Sequence, residues 1–303
     1  MEKEGQIWVS VITVCYTCRQ VIEQTMRSVL EQNYPFVEYI VIDGASKDGT
    51  KEEIERLAPL FREKGYRFHM ISEPDHGIYD AMNKGIKLAS GEWINFMNAG
   101  DRFYDCHVLS RIFGSPVPEA YSIVYGDTVL HLAFGDVEMR PKPLDYLKKK
   151  MAFCHQSAFV RTKEMQLRPF DTRYRLAADY DFFYYCYLKE KKFEYMAFPV
   201  AIFESEEGAS SLNRLKVNRE YAQIKGIDKT VIWKLKYVCK YVSVKLKEAF
   251  YASLPDSCVR KLREKNYERL RRRRLKWKKD VCCMITKRLK CNVLEESRII
   301  SMN

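Results

Sequence analysis

The stretch VEYIVIDGASKDGT, residues 37–50, decides how the chain is read. Val37 to Ile42 form a short apolar, β-branched run, the pattern of a buried strand. The run ends on Asp43-Gly44. Ser46-Lys47-Asp48-Gly49-Thr50 is turn and helix-cap chemistry, and KEEIERLAPLF, residues 51–61, follows as a helix. A strand that hands over to a helix through so short a polar turn is the repeating unit of a parallel sheet.

The neighbours continue the alternation. IWVSVITVC, residues 7–15, reads as another buried strand. VIEQTMRSVLEQ, residues 21–32, spaces Val21, Ile22, Met26, Val29 and Leu30 along one helical face, and Asn33-Tyr34-Pro35 stops it. RFHMIS, residues 67–72, is a third strand. Ligands of such sheets bind beyond the carboxyl ends of the strands. Tyr16, Thr17 and Asp43 stand there. Farther on, a helix over 78–89 leads through Gly91 to a strand at Trp93–Met97 and a polar loop. Residues 121–130 read as a strand and 135–143 as a looser segment. HQSAFVR, 155–161, reads as a strand, and LAADYDFFYYCYLKEK, 176–191, as a helix opening on Asp179 and Asp181.

Charge divides the chain. Of 303 residues, the stretch from Ser211 to Asn303 holds 26 Lys and Arg against 9 Asp and Glu, a net of +17. Residues 1–210 hold 26 against 31, a net of −5. This places a boundary near Asn213 and predicts a domain over 1–212 followed by a basic helical tail over 213–303. In the tail Val231, Leu235, Val238, Val242 and Leu246 recur at helical spacing among Lys234, Lys236, Lys240, Lys245 and Lys247. Arg271–Arg274 and Trp277 follow. Such helices fit the interface of an anionic membrane, or pack on the first domain with solvated charges. A basic tail also suits nucleic acid, but the acidic first domain carries no nucleic-acid module, so no nucleic-acid partner is expected.

Other classes lose their support. There is no G-x-G-x-x-G after the first strand, no P-loop and no G-x-S-x-G elbow. Ten cysteines sit mostly singly; Cys15-Tyr16-Thr17-Cys18 has no second pair at zinc spacing and reads as two small residues at a strand end. The polar opening MEKEGQ and the lack of a long apolar run point to a cytoplasmic setting with free thiols.

What remains is a series of acidic and amide residues near strand ends: Asp43, Asp48, Asp75, Asp80, Asn98, Asp101, Asp179 and Asp181. In that setting the chain resembles the family 2 glycosyltransferases of GT-A fold, in the bacterial O-antigen and exopolysaccharide subgroup. VSVITVCYT resembles the opening V-S-V-I-I-P-V-Y-N, with Val14 for Pro and Thr17 for Asn. VIDGASKDGT resembles V-D-D-G-S-T-D-G-T. EPDHGIYDAMNKGIKLASGEWINFMNAGD resembles the subgroup's long signature, and LAADYDFF the late E-D motif, with Ala178 where Glu is usual. The resemblance covers residues 7–212.

It implies an α/β GT-A sheet, Rossmann-like, mixed but mainly parallel and flanked by helices. It implies an inverting transfer from a nucleoside diphosphate sugar, a UDP-sugar by preference, to a glycan hydroxyl, with the glycan carried on a lipid at the inner face of the membrane. Asp179 is then the base and Asp181 its alternative. Thr13, Tyr16, Asp43, Asp75, Tyr79, Asn83, Lys84 and Asn98 contact the donor. Asp101 holds Mg2+ or Mn2+, and His155 lies near the acceptor or the diphosphate. Against L-D-A-D-D the chain reads Met97-Asn98-Ala99-Gly100-Asp101, so one carboxylate of the metal motif is replaced by Gly100; Lys84 or Arg102 could offset a weakened ion. His76 accompanies Asp75 at the donor pocket, and Glu206-Glu207-Gly208 with Ser210-Ser211 resembles a loop at the cleft mouth. A nucleotidyltransferase, or a degenerate family member acting as a scaffold, are the alternatives.

Overall fold

The computed structural model describes residues 6–204, 213–255, 257–262, 264–265 and 267–269. Two compact units divide after Tyr237. The first is built on a nine-stranded mixed sheet: β1 (Val9–Cys15), β2 (Val37–Asp43), β3 (Arg67–Ser72), β4 (Trp93–Phe96), β5 (Arg102–Phe103), β6 (Tyr121–Leu132), β7 (Gly135–Met139), β8 (Ala158–Arg161) and β9 (Lys192–Glu204). Its order is β3-β2-β1-β4-β8-β6-β9-β5, with β7 paired to β6. The N-terminal half, β3-β2-β1-β4, is parallel. Beyond β4 the pairing is antiparallel except for β6 with β9. The sheet is thus evenly mixed in its pairings, and the parallel part is the half legible in the first hundred residues.

Helices α1 (Arg19–Leu30), α2 (Thr50–Glu63), α3 (Ile78–Leu88), α4 (Val108–Phe113), α5 (Thr162–Leu167) and α6 (Ala178–Leu188) cover the two faces. Alternate residues of each central strand feed different cores. Ile12, Val14, Ile40 and Ile42 pack with Met82, Ile86 and Phe182, whereas Val9, Val11, Tyr39 and Val41 pack with Ile22, Met26, Leu57 and Phe61. Both faces are covered, so every residue of β1 and β2 is buried. Gly85 lets α3 close on β1: a Cβ there would lie 2.5 Å from Ile12 Cγ2.

In-register pairing lines up the carboxyl ends of the parallel strands. Cys15 faces Asp43 and Asp43 faces Ser72, and Met97 and Ala99 donate their N–H groups to the Ile12 and Val14 carbonyls. The segment expected as one strand over 155–161 begins instead as a 3-10 turn, His155–Ser157, with β8 starting at Ala158. The Asn95 amide holds this turn by donating to both the Gln156 and Ala158 carbonyls. Strand β9 was not legible: Pro199 and its charged residues break the alternation, and a register shift against β6 accommodates them.

The first unit continues past Asn213. Helix α7 (Arg214–Ile224) packs Tyr221 against Tyr180, ring centroids 4.2 Å apart, and Glu220 accepts from the Arg175 and Leu176 N–H groups. Helix α8 (Val231–Ala252) buries none of its residues. Val231, Leu235, Val238, Val242 and Leu246 are all exposed. Among the described residues no helix is long and apolar enough to cross a membrane. Arg271–Arg274, Trp277 and the Glu206–Ser211 loop lie outside the described residues.

Candidate active site

A cleft of about 780 Å³ opens at the carboxyl rim of the sheet. Its wall is made by the start of α1, the loop after β4, the 3-10 turn before β8, the starts of α3 and α6, the end of β9 and Tyr221 of α7. Polar groups collect there because strand ends and helix starts leave backbone N–H and C=O groups to be satisfied.

One hydrogen-bonded chain crosses the cleft. Tyr79 donates its hydroxyl to Asp179 Oδ1 at 2.9 Å. Asp179 Oδ2 lies 3.3 Å from His155 Nδ1, and His155 Nε2 lies 3.2 Å from the Asn98 amide nitrogen. Burial pushes the Asp179 carboxyl up, but the hydrogen bond and charge of His155 and the Tyr79 hydroxyl outweigh it, so the carboxyl stays below the usual range. The other amide atom, Asn98 Oδ1, is buried without a hydrogen-bond partner.

Asp101 lies at the floor, 4% exposed. Gln156 donates to its Oδ2 at 2.8 Å and the Glu204 N–H to its Oδ1 at 3.1 Å. Burial dominates, and the carboxyl is raised to about 6 despite these bonds. The loop before it is a tight turn: the Asp101 N–H bonds the Asn98 carbonyl at 2.9 Å, and Gly100 takes φ +97°, a left-handed conformation that disfavours the aspartate of the family motif.

Among the described residues the protein alone builds no cage for a divalent cation, and Asp101 is the one carboxylate of the loop. Hard cations take several oxygens, carboxylates above all. Both Asp101 oxygens are engaged by protein donors, Gly100 adds none, and among the described residues no three His, Cys, Asp or Glu side chains gather as ligands. Asp101, the residue expected to hold the ion, has its oxygens bonded to protein donors that also fix the floor of the cleft.

Other expected residues divide clearly. Tyr79, Asn98, Asp101, His155 and Asp179 all line the cleft. Thr13 does not: it is fully buried and bonded to Tyr39 and the Met97 carbonyl. Asp43 is fully buried as well, accepting from the Ser46 N–H and hydroxyl and from Ser72. Asn83 uses both amide atoms to hold the Phe170 backbone. Lys84 is tied to Glu73 and the Pro74 carbonyl, and Arg102 bonds Gln24, so neither borders the cleft as a free cation. Asp181 is paired with Arg168 at 2.7 Å, outside the cleft, which removes it as an alternative base. Helix geometry separates Asp179 from Asp181 in this way. Tyr16 is 70% exposed and shares the rim beside Gly44 with Asp75, whose carboxylate also takes the Gly77 N–H.

Several cleft residues escaped the sequence reading. Gln156 follows His155 directly and could have been read with it. Arg19 and Arg175 are the arginines of the cleft wall; neither belongs to a motif. Tyr221 arrives from a helix beyond the charge boundary, and Glu204 from the unread strand β9.

The cleft thus opens at the carboxyl rim of an α/β sheet. The family model described as Glycosyl transferase family 2 matches residues 10–171, and the chain belongs to that family. It is therefore a glycosyltransferase, which sets the nucleotidyltransferase alternative aside. It is 31% identical over 185 residues to a PGL/p-HBAD biosynthesis glycosyltransferase of Mycobacterium bovis, covering 59% of this chain and 69% of that one. It is 34% identical over 96 residues to the putative teichuronic acid biosynthesis glycosyltransferase TuaG of Bacillus subtilis, covering 31% of this chain and 36% of that one. Among solved structures, the mannosyltransferase PcManGT of Pyrobaculum calidifontis, in complex with GDP-Man and Mn2+, aligns with a TM-score of 0.59 at 17% identity, covering 90% of this chain and 83% of that one. S. aureus TarS 1–349 with UDP-GlcNAc aligns with a TM-score of 0.55 at 17% identity, covering 72% and 66%. These two establish the shared fold.

Proposed function

We propose that the protein moves a sugar, with inversion, from a nucleoside diphosphate sugar to a hydroxyl of a lipid-linked glycan, as in O-antigen or exopolysaccharide assembly. The observation that carries this reading is the chain Tyr79–Asp179–His155–Asn98 spanning a cleft whose walls also hold Arg19 and Arg175. A departing diphosphate needs cationic or hydrogen-bonding partners as its charge grows, and the incoming hydroxyl needs a proton acceptor on the opposite side. The arginines and the first turn of α1 supply the former; the Asp179 end supplies the latter. Tyr16 and Asp75, on the rim beside Gly44, would flank the nucleoside. The UDP-GlcNAc held by TarS supports a uridine donor, and the GDP-Man held by PcManGT keeps guanosine in the comparison.

The acceptor side rests on α8. Its exposed apolar stripe alternates with Lys234, Lys236, Lys240, Lys245 and Lys247, the composition of a helix lying in an anionic interface. This supports a reading in which the enzyme works at the cytoplasmic face of a membrane, where a lipid carrier would present its glycan.

A thermal-shift and donor-hydrolysis screen of UDP-, GDP- and dTDP-sugars tests the reading. One nucleotide class should stabilise the protein and release its nucleoside diphosphate. No stabilisation and no release with any of them would favour a scaffold instead.

A further inference from the structure

We propose that Cys18 is a thiol-modification site on the cleft wall: it takes a small-molecule disulfide and resolves it with Cys15, closing a reversible Cys15–Cys18 disulfide. From the sequence the pair reads as two small residues at a strand end. In the fold, Cys15 is the last residue of β1 and Cys18 is the N-cap of α1, with only Tyr16 and Thr17 between them. Their side chains share a hydrogen bond. Cys15 is buried, whereas Cys18 is half-buried and lines the cleft. A disulfide reagent therefore meets Cys18 first.

The turn between them fixes this arrangement. Thr17 has φ +49°, a left-handed conformation uncommon for a β-branched residue. Three successive backbone N–H groups are tied to the turn that leads into α2. Thr17 donates to the Ser46 hydroxyl at 2.8 Å, Cys18 to the Thr50 hydroxyl at 3.0 Å, and Arg19 to Asp48 Oδ2 at 3.1 Å. Behind them, Cys15 Sγ has the Ile42 carbonyl at 3.6 Å and Asp43 Oδ1 at 3.8 Å as further acceptors.

The surroundings give the two sulfurs different roles. The hydrogen bond from Cys15 holds the Cys18 thiol below its ordinary value, with help from Thr50, against burial and the charges of Asp48 and Asp43. Cys18 also stands at the positive end of α1, which favours a thiolate. The same hydrogen bond, then burial and the charges of Cys18 and Asp43, push Cys15 up. Tyr39, fully buried on β2, also faces the pair. An accessible thiolate backed by a buried thiol is the division between an attacking and a resolving cysteine.

In the first step the Cys18 thiolate attacks one sulfur of the small disulfide. That S–S bond breaks and one small thiolate leaves. In the second step Cys15 Sγ attacks Cys18 Sγ. The mixed S–S bond breaks, and the Cys15 proton leaves with the second small thiol. Two electrons thus pass from the cysteine pair to the reagent. An S–S bond of about 2.05 Å is much shorter than a thiol hydrogen bond, so closure draws Cys18 inward and disturbs Arg19 beside it. The glycosyl-transfer reading assigns Arg19 and the first turn of α1 to the diphosphate. On that reading, oxidation weakens donor binding.

The test uses the full chain and glutathione disulfide, followed by N-ethylmaleimide and tryptic mass spectrometry. Peptide Glu4–Arg19 carries Cys15 and Cys18 and no other cysteine. In wild type it should appear unalkylated and lighter by two hydrogens, and dithiothreitol should reverse this; no variant is needed for that readout. In Cys15→Ser, Cys18 should stop at the glutathione adduct. In Cys18→Ser, Cys15 should stay a free thiol. Calorimetric affinity for whichever of UDP, GDP and dTDP binds should fall about tenfold on oxidation of wild type, the worth of one charge-assisted hydrogen bond, and should not respond in Cys18→Ser. A peptide alkylated at both cysteines, while exposed Cys106 and Cys239 carry glutathione, would overturn the site. A closed disulfide with unchanged nucleotide affinity would overturn its link to the cleft. Reduced protein that binds none of the nucleotides would overturn the glycosyl-transfer reading instead, and the peptide would still decide the thiol chemistry.

Discussion

Asp43 and Asp179 were both expected to serve the cleft, and the fold uses them differently. Asp43 is wholly enclosed, and its partners Ser46 and Ser72 belong to the β2–α2 turn and the end of β3. Asp179 keeps 17% of its side chain exposed, and its partners Tyr79 and His155 border the cleft with it. Asp43 closes β2 at the carboxyl rim of the sheet, and Asp179 lies in the cleft that opens at that rim. What separates them is whether their hydrogen-bond partners are scaffold or are themselves open to ligand.

The sharpest way to break this comparison is Asp179→Asn. Transfer should fall by roughly 10³-fold, within the range general acid–base groups command, while nucleotide affinity measured by calorimetry stays near wild type. Asp43→Ala should act the other way. Removing the acceptor strands the Ser46 and Ser72 donors, at a cost of about 2–4 kcal/mol in denaturant unfolding. Loss of turnover with unchanged stability in that variant would erase the distinction.

A third test concerns Asp101. Its folded-state carboxyl is raised to about 6 by burial, above the ordinary value of about 4. Its contribution to stability is therefore fully present below about pH 4 and is lost as pH rises through about 6. Asp101→Asn should flatten that fall, by on the order of 2 kcal/mol, in unfolding curves recorded between those values. The smallest effect is expected in the second unit. Val238→Glu with Val242→Glu should reduce co-sedimentation with anionic vesicles severalfold, and salt should weaken the wild-type binding; transfer to a soluble acceptor should be unchanged.

Much of the parallel half was legible. β-Branched runs separated by cap chemistry are local signals, and β3 was read to the residue. In the other half β6, β7 and β8 were read in outline, but β5 and β9 were not, because they owe their pairing to a partner far along the chain. The cleft divides in the same way. Motif order marked Asn98, Asp101, His155 and Asp179 as near one another, yet it gave Thr13, Asn83 and Lys84 the same standing, and these three are taken up by core, backbone and loop contacts. A motif records residue type and spacing, and neither states which atoms are already bonded.

By itself the sequence determined the class of fold, the rim at which polar residues collect, and the charge division of the chain, since periodicity, turn chemistry and net charge are local or additive. Only the tertiary structure decided that Gly100 lies in a left-handed turn, that Gln156 and the Glu204 N–H occupy the Asp101 oxygens, and that His155 bridges Asp179 and Asn98. Each of these depends on groups brought together from separate strands and helices, and hydrogen bonding acts only at contact distance.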